Sequence, residues 1–168
     1  FIRGLNAHSQ QDYYEAISYY NSAIKLNPHF AESYNNRGNV KTTLHQYEEA
    51  IKDYSKAIEL NHDYAIAYNN RGSAKIELKQ YKEAITDYDT AIELDHNFAM
   101  PYNNRGIAKG KLKQYEEAIK DYDSAIELNS NDAIFYINRG VAKGKSKQYD
   151  DAIKDFDKAI ELAPRNVS

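Results

Sequence analysis

Four asparagines recur at a spacing of 34 residues and are the most regular candidates for ligand chemistry in the chain: Asn36, Asn70, Asn104 and Asn138. An asparagine amide carries two donors and an acceptor, so it can bond a peptide backbone whatever the peptide's sequence. A second asparagine precedes three of them, at Asn35, Asn69 and Asn103. The alternative is that asparagine is only a compact polar filler of a solvated surface. We favour the binding role and call the helix face that carries this series the ladder face.

A second recurring set pairs a cation with a carboxylate. The cations are Arg37 and Lys41 with their repeats, and we predict these lysine–aspartate pairs: Lys41–Asp53, Lys75–Asp87, Lys109–Asp121 and Lys143–Asp155. The lysines fall on the apolar stripe of a predicted helix, where an unpaired charge is costly. At the chain's start Ala7 and Tyr19 replace both partners together, as pairing requires. A structural role is favoured over a catalytic one, because buried charges are usually paired for structure.

No other pattern predicts catalysis or cofactor binding. The chain has no cysteine, and its five histidines have no metal-ligand spacing. It contains neither a glycine-rich phosphate loop nor a nucleophile elbow. With 22 basic against 25 acidic residues, it lacks the basic balance that nucleic acid favours. We therefore expect no enzyme activity, cofactor, metal or nucleic-acid partner.

The chain also has no apolar run long enough to span a membrane. We expect no membrane partner and a cytoplasmic location. Because the sequence begins inside a repeat without a Met, this expectation does not extend to a targeting segment upstream.

The fixed period divides residues 1–168 into a single array of repeats, in which each repeat contacts mainly its neighbours. The predicted boundaries are 1–30, truncated at its N-terminus, then 31–64, 65–98, 99–132 and 133–166.

Each repeat is predicted to form two antiparallel helices joined by a short turn. In the second repeat the helices should span residues 31–44 and 47–60. The second helix carries one apolar stripe with helical spacing: Tyr47, Ala50, Ile51, Tyr54, Ala57 and Ile58. A glycine in the middle of each first helix, such as Gly38, predicts that the second helix crosses closely there, with Ala50 filling the other side.

The ladder face lies two positions, or about 200°, from the packing stripe of the first helices. Later repeats gather apolar residues on it: Ile66, Ile76, Met100, Ile107, Ile134, Ile137 and Val141. Such a composition favours a contact surface over a face meant only for water. Gly110 and Gly144 leave room between these residues, so we expect an apolar anchor of a ligand to bind towards the C-terminal half.

These residues resemble the tetratricopeptide repeat. In the third repeat the family's packing places are held by Tyr68, Gly72, Tyr81, Ala84, Tyr88 and Ala91. The resemblance implies an all-α, right-handed superhelical solenoid of antiparallel helix pairs whose first helices line a concave groove. It also implies protein–protein interaction. The closing proline of the family survives only at Pro28 and Pro164.

One binding mode of this family, the carboxylate clamp for C-terminal acidic tails, does not fit the sequence. In the best alignment the asparagines match but the cations are missing: the clamp places hold Asn35, Asn39, Asn70, Met100 and Asn104. Without cations a carboxylate would lose its charge-assisted bonds.

The leading hypothesis is a module that binds an extended or helical peptide of a partner protein in its groove. The alternative is a self-assembling scaffold, a homo-oligomer that stacks end to end. In that case the last apolar stripe would meet the opening repeat at Phe1: Ala152, Ile153, Phe156, Ala159 and Ile160. A third hypothesis is the adaptor part of a larger enzyme.

Overall fold

The structure, a computed structural model, describes residues 12–163. In that range the chain forms nine α-helices and no strand, which confirms the predicted all-α class. They are α1 (Tyr13–Leu26), α2 (Ala31–Thr43), α3 (Tyr47–Leu60), α4 (Ala65–Glu77), α5 (Tyr81–Leu94), α6 (Ala99–Lys111), α7 (Tyr115–Leu128), α8 (Ala133–Lys145) and α9 (Tyr149–Leu162). The chain divides into an N-terminal unit, residues 1–83, and a C-terminal unit, residues 84–168. Phe1, Ala7 and Pro164 lie outside the described residues.

A tight turn reverses the chain inside each repeat. After α2 the His45 N–H donates to Thr42 O and the Gln46 N–H to Lys41 O, both at 2.9 Å. His45 itself takes a left-handed conformation with φ of 58°. This pair of bonds is the Schellman motif, which satisfies the last carbonyls of a helix and ends it abruptly. The predicted helix therefore stops at Thr43 instead of Leu44, and α3 begins at Tyr47 as expected.

Asparagine side chains close the turns that follow α3 and α7. Asn61 Oδ1 accepts from the Asp63 N–H at 3.1 Å, and Asn129 Oδ1 accepts from the Asn131 N–H at 3.2 Å. Such side-chain turns are a common property of asparagine. The next helix is tied to the turn as well, because the Tyr136 hydroxyl donates to Ser130 O at 3.2 Å.

In the N-terminal unit, α2 and α3 approach closely at Gly38. A Cβ placed on Gly38 would lie 2.7 Å from Cε1 of Tyr54. Tyr54 is buried with Ala50 of the same helix and Ala74 of α4, so the core passes from one repeat into the next. The predicted close crossing is confirmed, and its direct partner is the aromatic ring.

The C-terminal unit repeats this packing. A Cβ on Gly106 would lie 2.7 Å from Cε1 of Tyr122, and one on Gly140 would lie 2.8 Å from Cε1 of Phe156. Tyr122 packs in a buried cluster with residues of α7 and α8, namely Ala118, Ile119 and Ala142. Helices α6, α7 and α8 therefore share one core.

Two glycines of α6 should respond oppositely to alanine. Gly110→Ala should raise the free energy of unfolding by up to about 1 kcal/mol, because alanine favours helix and no atom lies within 4 Å of the new Cβ. Gly106→Ala should lower it by about 1–2 kcal/mol, because overpacking against Tyr122 outweighs the same gain. Urea denaturation monitored by circular dichroism measures both, and equal changes at the two positions would contradict the packing role of Gly106.

Candidate functional site

A buried aspartate of the second helix binds two cations of the first helix in three of the repeats. In the N-terminal unit, Lys41 Nζ lies 2.7 Å from Asp53 Oδ2. The Arg37 guanidinium binds the same carboxylate twice, with Nε–H donating to Oδ2 at 2.8 Å and Nη2–H to Oδ1 at 2.5 Å. Two cations of α2 therefore share one carboxylate of α3.

The C-terminal unit contains the same arrangement twice. Lys109 Nζ lies 2.7 Å from Asp121 Oδ2, and Lys143 Nζ lies 2.9 Å from Asp155 Oδ2. These distances confirm two further predicted pairs. Lys75 and Asp87 belong to different units, and their pairing stays a prediction.

Contacts within the last repeat shift the pKa values of Asp155 and Arg139. Burial alone would raise the pKa of Asp155, but hydrogen bonds from Arg139 and Lys143 outweigh it and lower that pKa. The hydrogen bond to Asp155 likewise raises the pKa of Arg139 against the effect of burial. Both groups are thus held in their charged forms, as a structural ion pair requires.

The arginine has a third partner that the sequence reasoning missed. Its Nη1–H donates backwards to the second helix of the preceding repeat: Arg37 to Asn21 Oδ1 (2.6 Å), Arg71 to Ser55 Oγ (3.1 Å), Arg105 to Asp89 Oδ1 (2.6 Å) and Arg139 to Asp123 Oδ1 (2.6 Å). Each guanidinium also lies over a tyrosine of its own helix, at 5.4–5.6 Å from the ring centre. A polar residue 16 positions before each of these four arginines was the available signal. Arg37, Arg105 and Arg139 therefore each join three helices.

In the N-terminal unit the ladder asparagine is also engaged within the protein. Asn70 Nδ2 donates to Asn35 Oδ1 and to Asn39 Oδ1, both at 3.1 Å. The oxygen of Asn39 also accepts from the Tyr54 hydroxyl at 2.9 Å, and Thr42 Oγ1 lies 3.0 Å from that hydroxyl. Both donors of Asn70 are used, and the network links α2, α3 and α4.

The first asparagine of each pair lies beneath the surface. Asn35, Asn69 and Asn103 are buried, whereas the ladder asparagines are partly exposed. Asn103 Nδ2 donates to Asn104 Oδ1 at 3.1 Å, and Asn103 Oδ1 accepts from Asn138 Nδ2 at 2.8 Å. The three residues are therefore covered by protein in this structure, and their contact with a ligand stays a prediction.

The C-terminal unit exposes apolar side chains on the ladder face of α6 and α8. Met100, Ile134, Ile137 and Val141 are between 41% and 57% exposed. Ile107 is half-buried and packs on the core of α7 and α8. In the N-terminal unit Ile66 is also exposed.

A pocket of about 290 Å³ opens between α6 and α8. The two helices contribute Ile107, Gly110, Lys111, Asn138, Val141, Ala142 and Lys145. Two aromatic residues of α7, Tyr115 and Tyr122, complete the lining. The sequence placed the residues of α6 and α8 on one helix face. It did not predict that Tyr115 and Tyr122, on the apolar stripe of α7, also line the pocket.

The range 12–163 holds no group of three or more histidine, aspartate or glutamate residues that could bind a metal ion. None of its helices has the length and apolar character needed to cross a bilayer.

Comparison with known proteins places the chain among repeat proteins. Residues 31–64, 99–132 and 133–166 match a family model described as "Tetratricopeptide repeat", and residues 4–44 and 72–113 match a second model described as "TPR repeat". No curated protein matches the sequence.

Solved structures give the same result. A crystal structure of MamA is 26% identical, with a TM-score of 0.84, and the match covers 95% of this chain and 93% of MamA. YrrB, described as a TPR protein with an unusual peptide-binding site, is 23% identical with a TM-score of 0.76, covering 97% and 84%. PilF of Pseudomonas aeruginosa is 21% identical with a TM-score of 0.88, covering 97% and 74%. The predicted class, an all-α solenoid of helix pairs, is confirmed.

Because an arginine and a lysine share one carboxylate, removing the aspartate should lower the free energy of unfolding more than removing the lysine. Asp121→Ala should cost on the order of 3 kcal/mol of unfolding free energy, because Arg105 and Lys109 both lose a buried partner. Lys109→Ala should cost clearly less, since Arg105 keeps both of its bonds to Asp121. Denaturant melts of both variants test this. A larger loss for Lys109→Ala would show that the arginine does not anchor the carboxylate.

Proposed function

Because the chain belongs to the tetratricopeptide repeat family, a family of protein-interaction modules, we propose that it binds a peptide segment of a partner protein on its ladder face. The peptide is extended or helical, and its main apolar anchor binds to α6 and α8 of the C-terminal unit. YrrB is described as having a peptide-binding site, so a fold of this kind can carry one.

The observation that carries this proposal is the exposed apolar surface of the C-terminal unit. Four large apolar residues of α6 and α8 are about half exposed on one face, beside a pocket. Exposed apolar patches on soluble proteins commonly mark interaction sites. Burying one leucine- or phenylalanine-sized anchor there contributes about 1.5–3 kcal/mol, whereas each neutral hydrogen bond from an asparagine adds about 1 kcal/mol. The anchor therefore dominates affinity, and the asparagines set direction and alignment.

The N-terminal unit suits a more polar part of the same ligand. Its ladder face presents Glu32, Thr42 and Thr43 on α2. These groups favour polar or basic ligand residues, so the ligand's chemistry should change along its length. We propose no reaction for the chain, since the aspartates of the described ion pairs are already bound by two cations each.

A charge placed on the apolar part of the ladder face should abolish binding. Peptides selected by display on the wild-type protein should bind Ile137→Asp at least about tenfold more weakly, because a carboxylate replaces apolar contact area. Lys120→Glu, on an exposed position of α7, should bind as the wild type does. Fluorescence anisotropy titrations measure both. Unchanged binding to Ile137→Asp together with loss in Lys120→Glu would place the ligand elsewhere.

A second candidate function, end-to-end self-association through α9, has its own observation. Ile153 is 57% exposed, whereas its equivalent in the preceding repeat, Ile119, is 9% exposed because α8 packs over it. Ile160 and Phe156 are exposed on the same helix. A first helix of a second copy carries the residue types that cover Ile119 inside the chain. Such a contact is heterologous and continues into a filament unless it closes.

Self-association through α9 predicts a molar mass that rises with concentration. Light scattering coupled to size-exclusion chromatography across a dilution series should show this rise for the wild type. Ile153→Lys with Ile160→Lys should remain monomeric, because the added charges would be buried in the contact without partners. Ile137→Asp serves as the control and should associate normally. A wild type that stays monomeric up to millimolar concentration would refute this candidate.

A further inference from the structure

The two units differ at two repeat positions whose side chains determine the hydrogen bonds of a buried tyrosine. In the N-terminal unit, Asn39 and Thr42 both bond the Tyr54 hydroxyl, at 2.9 Å and 3.0 Å. At the same repeat positions, 68 residues later, the C-terminal unit has Ile107 and Gly110. The tyrosine itself is retained as Tyr122.

The replacement leaves two hydrogens of pocket-lining residues without a protein acceptor, namely the Tyr122 hydroxyl hydrogen and the second Nδ2 hydrogen of Asn138. None of the described residues forms a hydrogen bond with the Tyr122 hydroxyl. Asn138 Nδ2 donates once, to Asn103 Oδ1, whereas its counterpart Asn70 donates to two oxygens, of which Asn39 supplies the second. Burial raises the pKa of Tyr122, so this hydroxyl remains a donor. A buried donor without an acceptor costs about 1–3 kcal/mol, and a bound acceptor removes that cost.

The rim of the pocket adds positive charge. Lys111 and Lys145 occupy places where the N-terminal unit has Thr43 and Glu77. Neither lysine forms an ion pair with any acidic residue in the described part of the chain. Ile107, Val141 and Ala142 give the pocket an apolar part of its lining.

We propose that this pocket binds an acidic side chain of the partner peptide, a glutamate that lies next to the apolar anchor. This inference rests on the peptide-binding function proposed above. The carboxylate takes the place of Asn39 Oδ1 and accepts from Tyr122 Oη–H and Asn138 Nδ2–H. Bonds of this kind are charge-assisted and stronger than those of a neutral acceptor. The lysines add attraction at the rim, and the apolar stem of glutamate contacts Ile107 and Val141.

The pocket, with a volume of about 290 Å³, has room for a glutamate side chain. The neighbouring apolar anchor of the peptide then covers Ile137 and Val141 outside it.

The probe is a library of short random peptides displayed with both ends fused to the carrier, so that only side chains supply carboxylates. Peptides selected on the wild-type protein should be enriched in a glutamate beside an apolar residue. The best sequence is then synthesised with both ends blocked and titrated by fluorescence anisotropy. Replacing its glutamate by glutamine should weaken binding about tenfold, as expected for the loss of charge-assisted hydrogen bonds.

Protein variants taken from the chain's own repeats provide matched controls. Ile107→Asn with Gly110→Thr copies the N-terminal unit and supplies the internal acceptors. It should weaken binding of the glutamate peptide about tenfold more than binding of the glutamine peptide, because both peptides lose the apolar contact with Ile107 but only the first loses charge-assisted bonds. Tyr122→Phe, which copies Phe156, should have a similar selective effect. Lys111→Thr should reduce the salt dependence of binding, because it removes a rim charge. Thermal melts confirm that each variant is folded.

The outcomes separate this inference from the proposed function. If the glutamine peptide binds as well as the glutamate peptide, or if Ile107→Asn with Gly110→Thr has no selective effect, the carboxylate pocket is refuted and water satisfies the two donors. Peptides that nevertheless lose affinity for Ile137→Asp would leave the ladder-face proposal intact. Peptides insensitive to both changes would refute the two proposals together.

Discussion

The bonded carboxylate inside each described helix pair is the interaction on which the rest of the packing depends. Asp53, Asp121 and Asp155 are buried, and each is bound by an arginine and a lysine of the first helix. A buried carboxylate with one partner removed is strongly destabilising, so the cluster permits only one alignment of the two helices. The arginine also links its repeat to the preceding one, because its Nη1–H donates to a side chain of the second helix there.

The arginines, lysines and aspartates between the helices bind one another, so the surface open to a ligand consists of other residues. The cations of the packing stripe donate to buried aspartates, and each buried asparagine donates to the ladder asparagine that follows it. The ladder face of α6 and α8 is different, because apolar side chains and two lysines without acidic partners in residues 12–163 lie there. Function in such a protein resides in the few positions that vary between repeats, while the repeated positions maintain the packing.

The contrast between Asn39 and Ile107 illustrates how one unit differs from the other. The two side chains have the same number of heavy atoms and equivalent places, but the amide completes a hydrogen-bond network and the aliphatic chain cannot. The tyrosine retained with them is buried in both units. Tyr54 has its hydroxyl bonded inside the protein, whereas Tyr122 lines a pocket.

The sequence by itself determined the period, the helix pairs and the lysine–aspartate pairing, because these depend on spacing that recurs in every repeat. The helices of the second repeat and three of the four ion pairs could be predicted from it. Only the tertiary structure decided that the arginine bonds three helices, that Asn35 and Asn103 are buried, and that Tyr122 lines a pocket with Ile107. Those outcomes depend on where side chains of different helices meet, and a helical period describes one helix at a time.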